Sequence, residues 1–254
     1  MSNRVHVQAR LTVADYRHDS RLAADGTIDA EQNDTGTMST LRRDRDVPFP
    51  LADTTATDSA IDRWRVVTPL LRFENVLVRS LRRDDAPALC ALCATEAVGR
   101  FLWPPPSTTE RFTEFIEWTR DQQTGGLQIC FALVPAGQET AGGLIQVRQL
   151  EANFQTAEWG FVVGQPYWGT GLFMNGARVA LTYLFETVGV RRLEARTVVT
   201  NGRANGALRK LGANREGVLR QGFSYGDRRL DQYLWSILAS EWTMQPLADG
   251  LRLH

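Results

Sequence analysis

The chain has 254 residues, of which 43% are hydrophobic and 23% charged, and its formal net charge is zero. This composition is typical of a soluble globular protein and argues against a direct nucleic-acid binder. The apolar runs are short, so we expect no membrane span, no signal peptide and a cytoplasmic location. Three cysteines are too few for a disulfide scaffold.

Residues 1–60 differ in composition from the rest of the chain. They contain seven arginines and ten acidic residues, but none of the seven tryptophans. Such a segment buries too little apolar surface to offset the entropy of ordering the chain. We expect a disordered N-terminal extension over 1–60, one folded domain over 61–242 and a C-terminal tail over 243–254. Alternatively, translation starts at Met38, and the first 37 residues are not part of the protein.

From residue 76 onward, strand patterns alternate with helix patterns. Strands are predicted over 76–81, 128–134, 143–150, 157–163, 193–199, 218–223 and 230–238. Helices are predicted over 84–95, 108–123, 171–187 and 203–211, the third because apolar residues recur on one face at a 3.6-residue period. This order predicts a mixed α/β sheet that ends in a hairpin.

Histidine and cysteine usage excludes several chemistries. No histidine lies between residues 19 and 253, so neither a Ser-His-Asp triad nor a histidine-rich zinc site is expected there. Cys90 and Cys93 have CxxC spacing without a second pair, and we expect them, like Cys130, to pack in the core. We therefore expect no metal.

The most informative stretch is the loop over 163–171, with the sequence VGQPYWGTG, between a predicted strand and a predicted helix. Glycines let a backbone approach a ligand closely, and the free amides of a first helical turn form an anion site. A phosphate-bearing ligand is therefore our hypothesis, with an ordinary tight turn as the alternative. Two known phosphate motifs do not match. A P-loop needs Lys-Ser/Thr where Ala177 and Arg178 stand, and a dinucleotide fingerprint needs glycine where Met174 stands.

Three segments in order resemble one known family. They are YWGTG at 167–171 with the helix after it, RLEAR at 192–196, and NGRANGALRKLGA at 201–213. Together they resemble the GNAT superfamily of acetyl-CoA-dependent N-acetyltransferases, in particular the RimJ/RimL-like branch named for ribosomal-protein N-terminal acetyltransferases. The resemblance spans about residues 69–240. It implies an α/β GNAT fold, with a central mixed, mostly antiparallel sheet splayed at the acetyl-CoA slot and flanked by helices.

The resemblance also implies a reaction. The co-substrate would be acetyl-CoA, without a metal, and the acetyl group would pass directly to a primary amine, either a protein N-terminus or a small molecule such as an antibiotic or polyamine. An acyl-CoA-binding module without turnover is an alternative, because Ala204 and Leu208 replace the serine and the tyrosine acid of many members. Pro166 and Asn175 also depart from the pattern of the loop and the following helix.

Residues of the loop, of the strand before it and of the later helix would hold acetyl-CoA. The first turn and the glycine loop would bind the pyrophosphate, the strand would pair with pantetheine as an added strand does, and two asparagines would contact the pantetheine arm. The residues that the resemblance implies are Phe161, Val162, Val163, Trp168, Gly169, Thr170, Gly171, Leu172, Phe173, Asn201 and Asn205.

The reaction requires a base, an oxyanion donor and a leaving thiolate. Glu158 is the candidate base, because strand alternation places its side chain on the face of Gly160 and Val162. The alternative is a structural carboxylate paired with Arg148 or Arg196, and Glu194 is a rival base. A backbone amide near Val162 is the candidate oxyanion donor.

The acid and the acceptor pocket are less defined. Tyr225 and Tyr233 in the closing hairpin are candidate acids, unless the thiolate leaves without one. Phe101 and Trp103 are candidates to line the amine site, or else they pack the following proline run onto the sheet. The arginine-rich stretch over 215–229 is either a contact for an acidic substrate or a solvated face.

We expect an amine substrate as the partner, and neither a membrane nor a nucleic acid. An exposed sheet edge would also allow a homodimer.

Overall fold

The structure, a computed structural model, describes residues 63–66, 68–102 and 105–243. The predictions for residues 1–60, for 244–254 and for Trp103 lie outside these residues. Its helices are α1 (Arg63–Val66), α2 (Ala86–Cys93), α3 (Glu96–Gly99), α4 (Thr109–Thr124), α5 (Leu172–Tyr183) and α6 (Gly202–Lys210). Its strands are β1 (Leu71–Phe73), β2 (Val76–Ser80), β3 (Gln128–Pro135), β4 (Gly143–Gln149), β5 (Thr156–Val163), β6 (Arg192–Val198), β7 (Asn214–Tyr225) and β8 (Arg228–Leu238).

The eight strands form one sheet in the order β1-β2-β3-β4-β5-β6-β8-β7. Neighbouring strands are antiparallel except β5 and β6, which run parallel and are connected through α5. A parallel pair needs such a crossover because its two strands start at the same edge. The predicted mixed, mostly antiparallel sheet flanked by helices is confirmed.

Alternating strand residues build a core on each face of the sheet. Ile129, Phe131 and Leu133 of β3 pack with α5, in the cluster that includes Ala180 and Leu181. The intervening residues of β3 pack on the other face with α2 and α4, in a second cluster that includes Cys130, Ala132, Leu89, Phe112 and Phe115. Helices on both faces therefore bury the central strands from both sides, as the continuous apolar sequence of β3 requires.

A buried ion pair anchors the start of α2 to the sheet. Arg79 on β2 donates Nη1 and Nη2 to the two carboxylate oxygens of Asp85, at 2.7 and 2.9 Å. The same carboxylate accepts the backbone amides of Arg82 and Ala141, at 2.8 and 2.9 Å. Each carboxylate oxygen therefore has two donors, which compensates for the loss of hydration around a side chain that is fully buried.

The structure differs from the predicted elements in several places. The helix predicted over 84–95 is α2, which ends at Cys93, and the short helix α3 after it was not predicted; Thr95 is extended (ψ 136°) and separates the two. The short helix α1 was not predicted either. The helix predicted over 171–187 changes to a π-helical turn at Leu184–Val188 and stops at Gly189, whose φ of 86° is left-handed. Strand β1 was not predicted, since three residues carry too little periodicity.

Candidate active site

Strands β5 and β6 separate along their length and leave a gap in the sheet. They pair from Thr156 with Arg192 to Glu158 with Glu194, and no further pairing between them follows in the described residues. Beyond this point β5 stays paired with β4, up to Val163 opposite Gly143, and β6 stays paired with β8, up to Val198 opposite Gln232. The sheet therefore opens just after Glu158.

Two hydrogen bonds determine which backbone groups of β5 face this gap. The carbonyl of Gln155 accepts the amide of Arg192 at 3.1 Å, toward β6, whereas the amide of Gly164 donates to the carbonyl of Gly142 at 2.9 Å, toward β4. Because successive backbone groups of a strand point to opposite sides, odd-numbered residues direct theirs toward β6. The amides of Phe161 and Val163 therefore face the gap.

The loop after β5 presents backbone amides at the start of α5. Gly169 and Gly171 have φ values of 79° and 87°, a left-handed conformation that glycine adopts without a steric penalty. Among the described residues, the amides of Gly169, Gly171, Phe173 and Met174 have no backbone acceptor. Unpaired amides at a helix start, reinforced by the helix dipole, attract an anion such as a diphosphate.

A turn from the outer part of the sheet holds this loop. Asn75, between β1 and β2, donates Nδ2 to the Thr170 carbonyl at 2.9 Å. Asn175 in the first turns of α5 donates to Asn75 Oδ1 at 2.9 Å and to Glu74 Oε2 at 2.7 Å. The departure from the family pattern at Asn175 therefore coincides with a contact between the helix and this turn.

A cavity of about 1010 Å³ runs from the loop, along the gap, to the helices α2–α4. At the loop end its lining includes Trp168, Gly169 and Gly171, together with Arg203 and Lys210 of α6. The Arg203 guanidinium lies over the Trp168 ring at 3.9 Å. Trp168 Nε1 also donates to the Val163 carbonyl at 2.9 Å, so the indole connects the end of β5 with α6.

Glu158 lines the cavity where the strands separate, and 4% of its surface is exposed. Its carboxylate accepts a hydrogen bond from Arg148 at 2.8 Å and lies 3.6 Å from Arg196 Nε. Burial raises the pKa of Glu158 above the ordinary carboxyl value, and the two arginines oppose that rise. The carboxylate thus has both the position expected of a base and the pairing expected of a structural residue.

The rival carboxylate and the two candidate acids lie elsewhere. Glu194 pairs with Arg192 at 2.8 Å, and it is not among the described residues that line the cavity. Tyr225 is 43% exposed at the end of the hairpin. Tyr233 lies under the Arg215 guanidinium at 4.7 Å, with its ring against Trp235. Neither tyrosine lines the cavity, so the geometry does not favour them as acids.

Of the two asparagines expected to contact pantetheine, one lines the cavity and the other is buried. Asn201 lines the cavity and caps α6, where its Oδ1 accepts the Ala204 amide at 3.1 Å. Asn205 is buried, donates to the carbonyls of Val198 and Val199 at 3.1 Å each, and accepts from Trp235 Nε1 and Thr197 Oγ1. Its polar atoms are therefore engaged in joining α6 to β6 and β8, and the expected contact with pantetheine stays a prediction.

The other predicted cofactor residues divide between the cavity and the core. Phe161, Val162, Val163 and Phe173 line the cavity, whereas Thr170 and Leu172 are not among its lining residues. Leu172 is 1% exposed and packs in the core, so only its backbone remains available for binding. Thr170 Oγ1 donates to the Tyr167 carbonyl at 2.8 Å, which stabilises the turn itself.

At its other end the cavity is bounded by α3, the residues after it, α4 and β4. Phe101 lines it and lies 4.7 Å from the Arg100 guanidinium. Cys93 also lines it, and burial raises the pKa of this thiol to about 12. Burial likewise raises the pKa of Cys130, and both thiols belong to the core cluster around α2 and α4, as predicted.

Several lining residues were not predicted. They include Arg203, Lys210, Ser224 and Gln232. For Arg203 and Lys210, a signal was present in the sequence, because both lie in the recognised segment over 201–213 and would suit phosphate groups. Ser224 and Gln232 depend on how the hairpin folds over the gap, which no local pattern indicates.

Residues 63–66, 68–102 and 105–243 contain no group of three or more His, Cys, Asp or Glu side chains that could hold a metal ion. The helices within these ranges are each too short or too polar to cross a bilayer.

Known proteins share this sequence pattern and fold. The uncharacterized N-acetyltransferase p20 of Bacillus licheniformis is 23% identical over 173 residues, which cover 68% of this chain and 97% of p20. The [ribosomal protein uS5]-alanine N-acetyltransferase of Escherichia coli is 24% identical over 94 residues, covering 37% of this chain and 48% of that enzyme. The structure of Mycobacterium smegmatis RimJ in complex with CoA-disulfide has a TM-score of 0.61 at 20% identity, covering 70% of this chain and 89% of RimJ.

The acetyltransferase (GNAT) domain family matches residues 75–214, from the β1–β2 turn to the start of β7. This range contains the separated strands, the glycine loop and α6, and the relatives named above are N-acetyltransferases. The family, the fold and the acyltransferase class expected from the sequence are thereby confirmed. The match covers more than half of the chain, which therefore belongs to the GNAT family of acetyltransferases.

Proposed function

We propose that this protein transfers the acetyl group of acetyl-CoA directly to the α-amino group of a protein N-terminus. The observation that carries the proposal is the opening of the sheet between β5 and β6, with Glu158 at its base and unpaired amides at its outer end. Acetyl-CoA supplies the acetyl group as a thioester: the amine nitrogen forms a C–N bond with the carbonyl carbon, and the C–S bond then breaks.

The groups around the gap fit the parts of acetyl-CoA. The unpaired amides of the loop and of the first turn of α5 suit the diphosphate, and Arg203 and Lys210 add positive charge at the same end. The amides of Phe161 and Val163 face the gap, where an extended arm adds to β5 as a further strand would. Asn201 would contact that arm from the start of α6.

Glu158 would prepare the amine. An α-ammonium group must lose a proton before its nitrogen can form a bond, and a carboxylate with a raised pKa is better matched to that transfer than an exposed one. The proton passes to Glu158, directly or through one water molecule, and then to solvent. Arg148 and Arg196 orient the carboxylate at 2.8 and 3.6 Å.

The backbone would stabilise the charge that develops on the acyl oxygen. A fixed amide directed at this oxygen lowers the barrier more than a mobile donor, because no reorganisation is needed. The amides of Phe161 and Val163 are the candidates by strand alternation. After the C–N bond has formed, the nitrogen loses its second proton, which neutralises the departing thiolate directly or through solvent. No protein acid is needed in this proposal, and Tyr225 and Tyr233 lie outside the cavity lining.

Charge favours a protein N-terminus over a polyamine. Of the charged residues that line the cavity in the described part of the chain, Arg203 and Lys210 lie at the loop end, and the two acidic residues Glu96 and Glu158 are balanced by Arg100 and Arg196. A polyamine with several positive charges would therefore find no surplus of carboxylates near the acceptor end, whereas a peptide N-terminus brings one amine and neutral peptide groups. Relatives named for ribosomal-protein acetylation agree with this choice.

Calorimetric titration with acetyl-CoA, followed by thiol-release assays with peptides and with spermidine, tests the proposal. We expect micromolar binding, turnover with peptides and little with spermidine. Glu158→Gln is the matched control that separates binding from catalysis, since this variant should bind acetyl-CoA normally but transfer the acetyl group slowly. Binding without turnover on any peptide would overturn the proposed acceptor, and absence of binding would overturn the proposed donor.

A further inference from the structure

The acceptor end of the cavity has an apolar interior. On the face of β5 that carries Glu158, a wall is formed by α3, the residues after it, α4 and β4. Its apolar residues are Val98, Phe101, Leu102, Phe112, Phe115 and Leu144. Four of these residues are buried and two are half-buried. These side chains offer a ligand contact surface but no hydrogen-bond partner.

The charged residues of this end lie at its rim. Glu96 opens α3 and Arg100 follows its last residue, one helical turn apart, and both side chains are exposed. The cations nearest Glu158 are engaged with its carboxylate, Arg148 at 2.8 Å and Arg196 at 3.6 Å. A charged group that entered the apolar interior would therefore lose its hydration without a new ionic partner.

The chemistry brings one particular group against this wall. The reacting amine must reach Glu158 and the end of the gap, and the first side chain of a peptide is attached to the carbon next to that amine. Glu158 and Val162 face the same side of β5, and Val162 packs with the cluster that contains Phe112 and Phe115. The first side chain of the acceptor therefore lies at the apolar wall, while the peptide leaves past the rim.

We propose that the preferred acceptor is a peptide N-terminus whose first residue has an apolar side chain, such as leucine, methionine or phenylalanine. This inference rests on the proposed function and adds the class of the first residue. Glu96 and Arg100 contact the following polar peptide groups at the rim. Glycine leaves the wall unfilled, and aspartate or lysine places a charge against it.

A peptide series tests the inference. Peptides that are identical except for the first residue (Gly, Ser, Leu, Met, Phe, Asp or Lys) are compared by kcat/KM, measured from thiol release with saturating acetyl-CoA. We expect the apolar series to exceed glycine, aspartate and lysine by about 10-fold or more, the size of pocket discrimination for apolar groups. Equal rates for all first residues, or a preference for a charged one, would overturn the inference.

A variant pair connects the preference with this wall. Leu102→Ser replaces a half-buried lining residue, and Leu127→Ser replaces a leucine that is 45% exposed and absent from the cavity lining. We expect the leucine-to-glycine ratio of kcat/KM to fall about 5-fold in Leu102→Ser, the size of roughly one buried methylene, and to stay unchanged in Leu127→Ser. An unchanged ratio in Leu102→Ser would refute the assignment of the wall.

The two proposals fail in different ways. Turnover with peptides but without an apolar preference would overturn only this inference and leave the proposed function standing. Acetyl-CoA binding without turnover on any peptide would overturn the protein N-terminus as acceptor, and the inference with it.

Discussion

Asn75 and Thr170 lie 95 residues apart in sequence, yet Asn75 Nδ2 donates to the Thr170 carbonyl oxygen at 2.9 Å. This bond joins the β1–β2 turn to the loop that presents unpaired amides at the start of α5. Asn75 also accepts a hydrogen bond from Asn175 at 2.9 Å, so both ends of the amide side chain are used. Asn75 is thereby placed to orient the loop without contacting a ligand itself.

We predict that Asn75→Ala impairs the binding of acetyl-CoA more than it slows the transfer of the acetyl group. The KM for acetyl-CoA should rise about 5- to 10-fold, the loss of one or two hydrogen bonds that position the loop, with kcat close to that of the wild type. Asn214→Ala is the control, because the side chain of that exposed asparagine donates only to Glu241 among the described residues, at 3.3 Å, far from the loop in sequence. A fall in kcat with an unchanged KM would contradict a positioning role.

We predict that Glu158→Gln lowers kcat about 100-fold or more, in the range of general-base catalysis. The base acts when deprotonated, so wild-type activity is lost as pH falls through a pKa that burial raises above the usual carboxyl range. That acidic limb of the pH–rate profile should disappear in the variant. Glu194→Gln, which changes a neighbouring carboxylate outside the cavity lining, should keep the limb. A wild-type profile in Glu158→Gln would exclude Glu158 as the base.

We predict that Gly171→Ala weakens CoA binding at least about 5-fold. Gly171 has a φ of 87°, which costs an L-residue about 1–2 kcal/mol, and relief of this strain would redirect the loop amides. Gly189→Ala is closely matched, because Gly189 has a φ of 86° but ends the π-helical turn far along the chain from the loop. Both variants should lose similar stability in thermal unfolding. If calorimetry gave Gly171→Ala the same CoA affinity as Gly189→Ala and the wild type, the conformation of the loop would not matter for binding.

We predict that Asp85→Asn lowers the free energy of unfolding by about 3–5 kcal/mol, the cost of leaving a buried partner charge uncompensated. Arg79 is 2% exposed and has no other carboxylate among the contacts described here. Glu117→Gln removes half of an exposed ion pair with Arg83 and should cost less than about 1 kcal/mol. Urea unfolding measures both. If the two variants lost similar free energies of unfolding, water would be compensating the buried charge of Arg79.

We predict slow thiol labelling of Cys93 and Cys130 in the folded protein at pH 8. Burial raises the pKa of Cys93 to about 12, and the pKa of Cys130 is raised as well, so both thiols remain protonated at pH 8. Only 4% and 3% of their surfaces are exposed. Labelling should accelerate when urea unfolds the chain, and half-buried Cys90 should react first. Rapid native labelling of Cys93 would contradict its packing in the core.

Local sequence was enough to predict most of the elements because their signals lie within a few residues. Thr108 caps α4 by accepting the Arg111 amide at 3.3 Å. Gly212, with a φ of 87°, follows α6 where the chain must reverse. The glycine loop before α5 was recognised for the same reason, because left-handed glycines beside a helix start are a local backbone requirement.

The residues that were placed differently depend on contacts between distant segments. In the hairpin, three residues of β7 lie between Leu219 and Phe223, opposite a single residue of β8. This bulge shifts the pairing of β7 with β8 by two residues. Ser224, beyond the bulge, and Gln232 line the cavity, while Tyr225 and Tyr233 do not. Strand alternation alone cannot locate such a shift.

The sequence by itself determined the order of the elements, the family and the loop that offers amides to an anion, since each depends on short-range pattern. Only the tertiary structure decided that Asn205 is used within the fold, that Glu158 pairs with two arginines, and that Asn75 holds the loop. The physical reason is that a polar side chain takes its role from the partners that burial brings to it. Those partners come from strands and turns that are adjacent only after the sheet has formed.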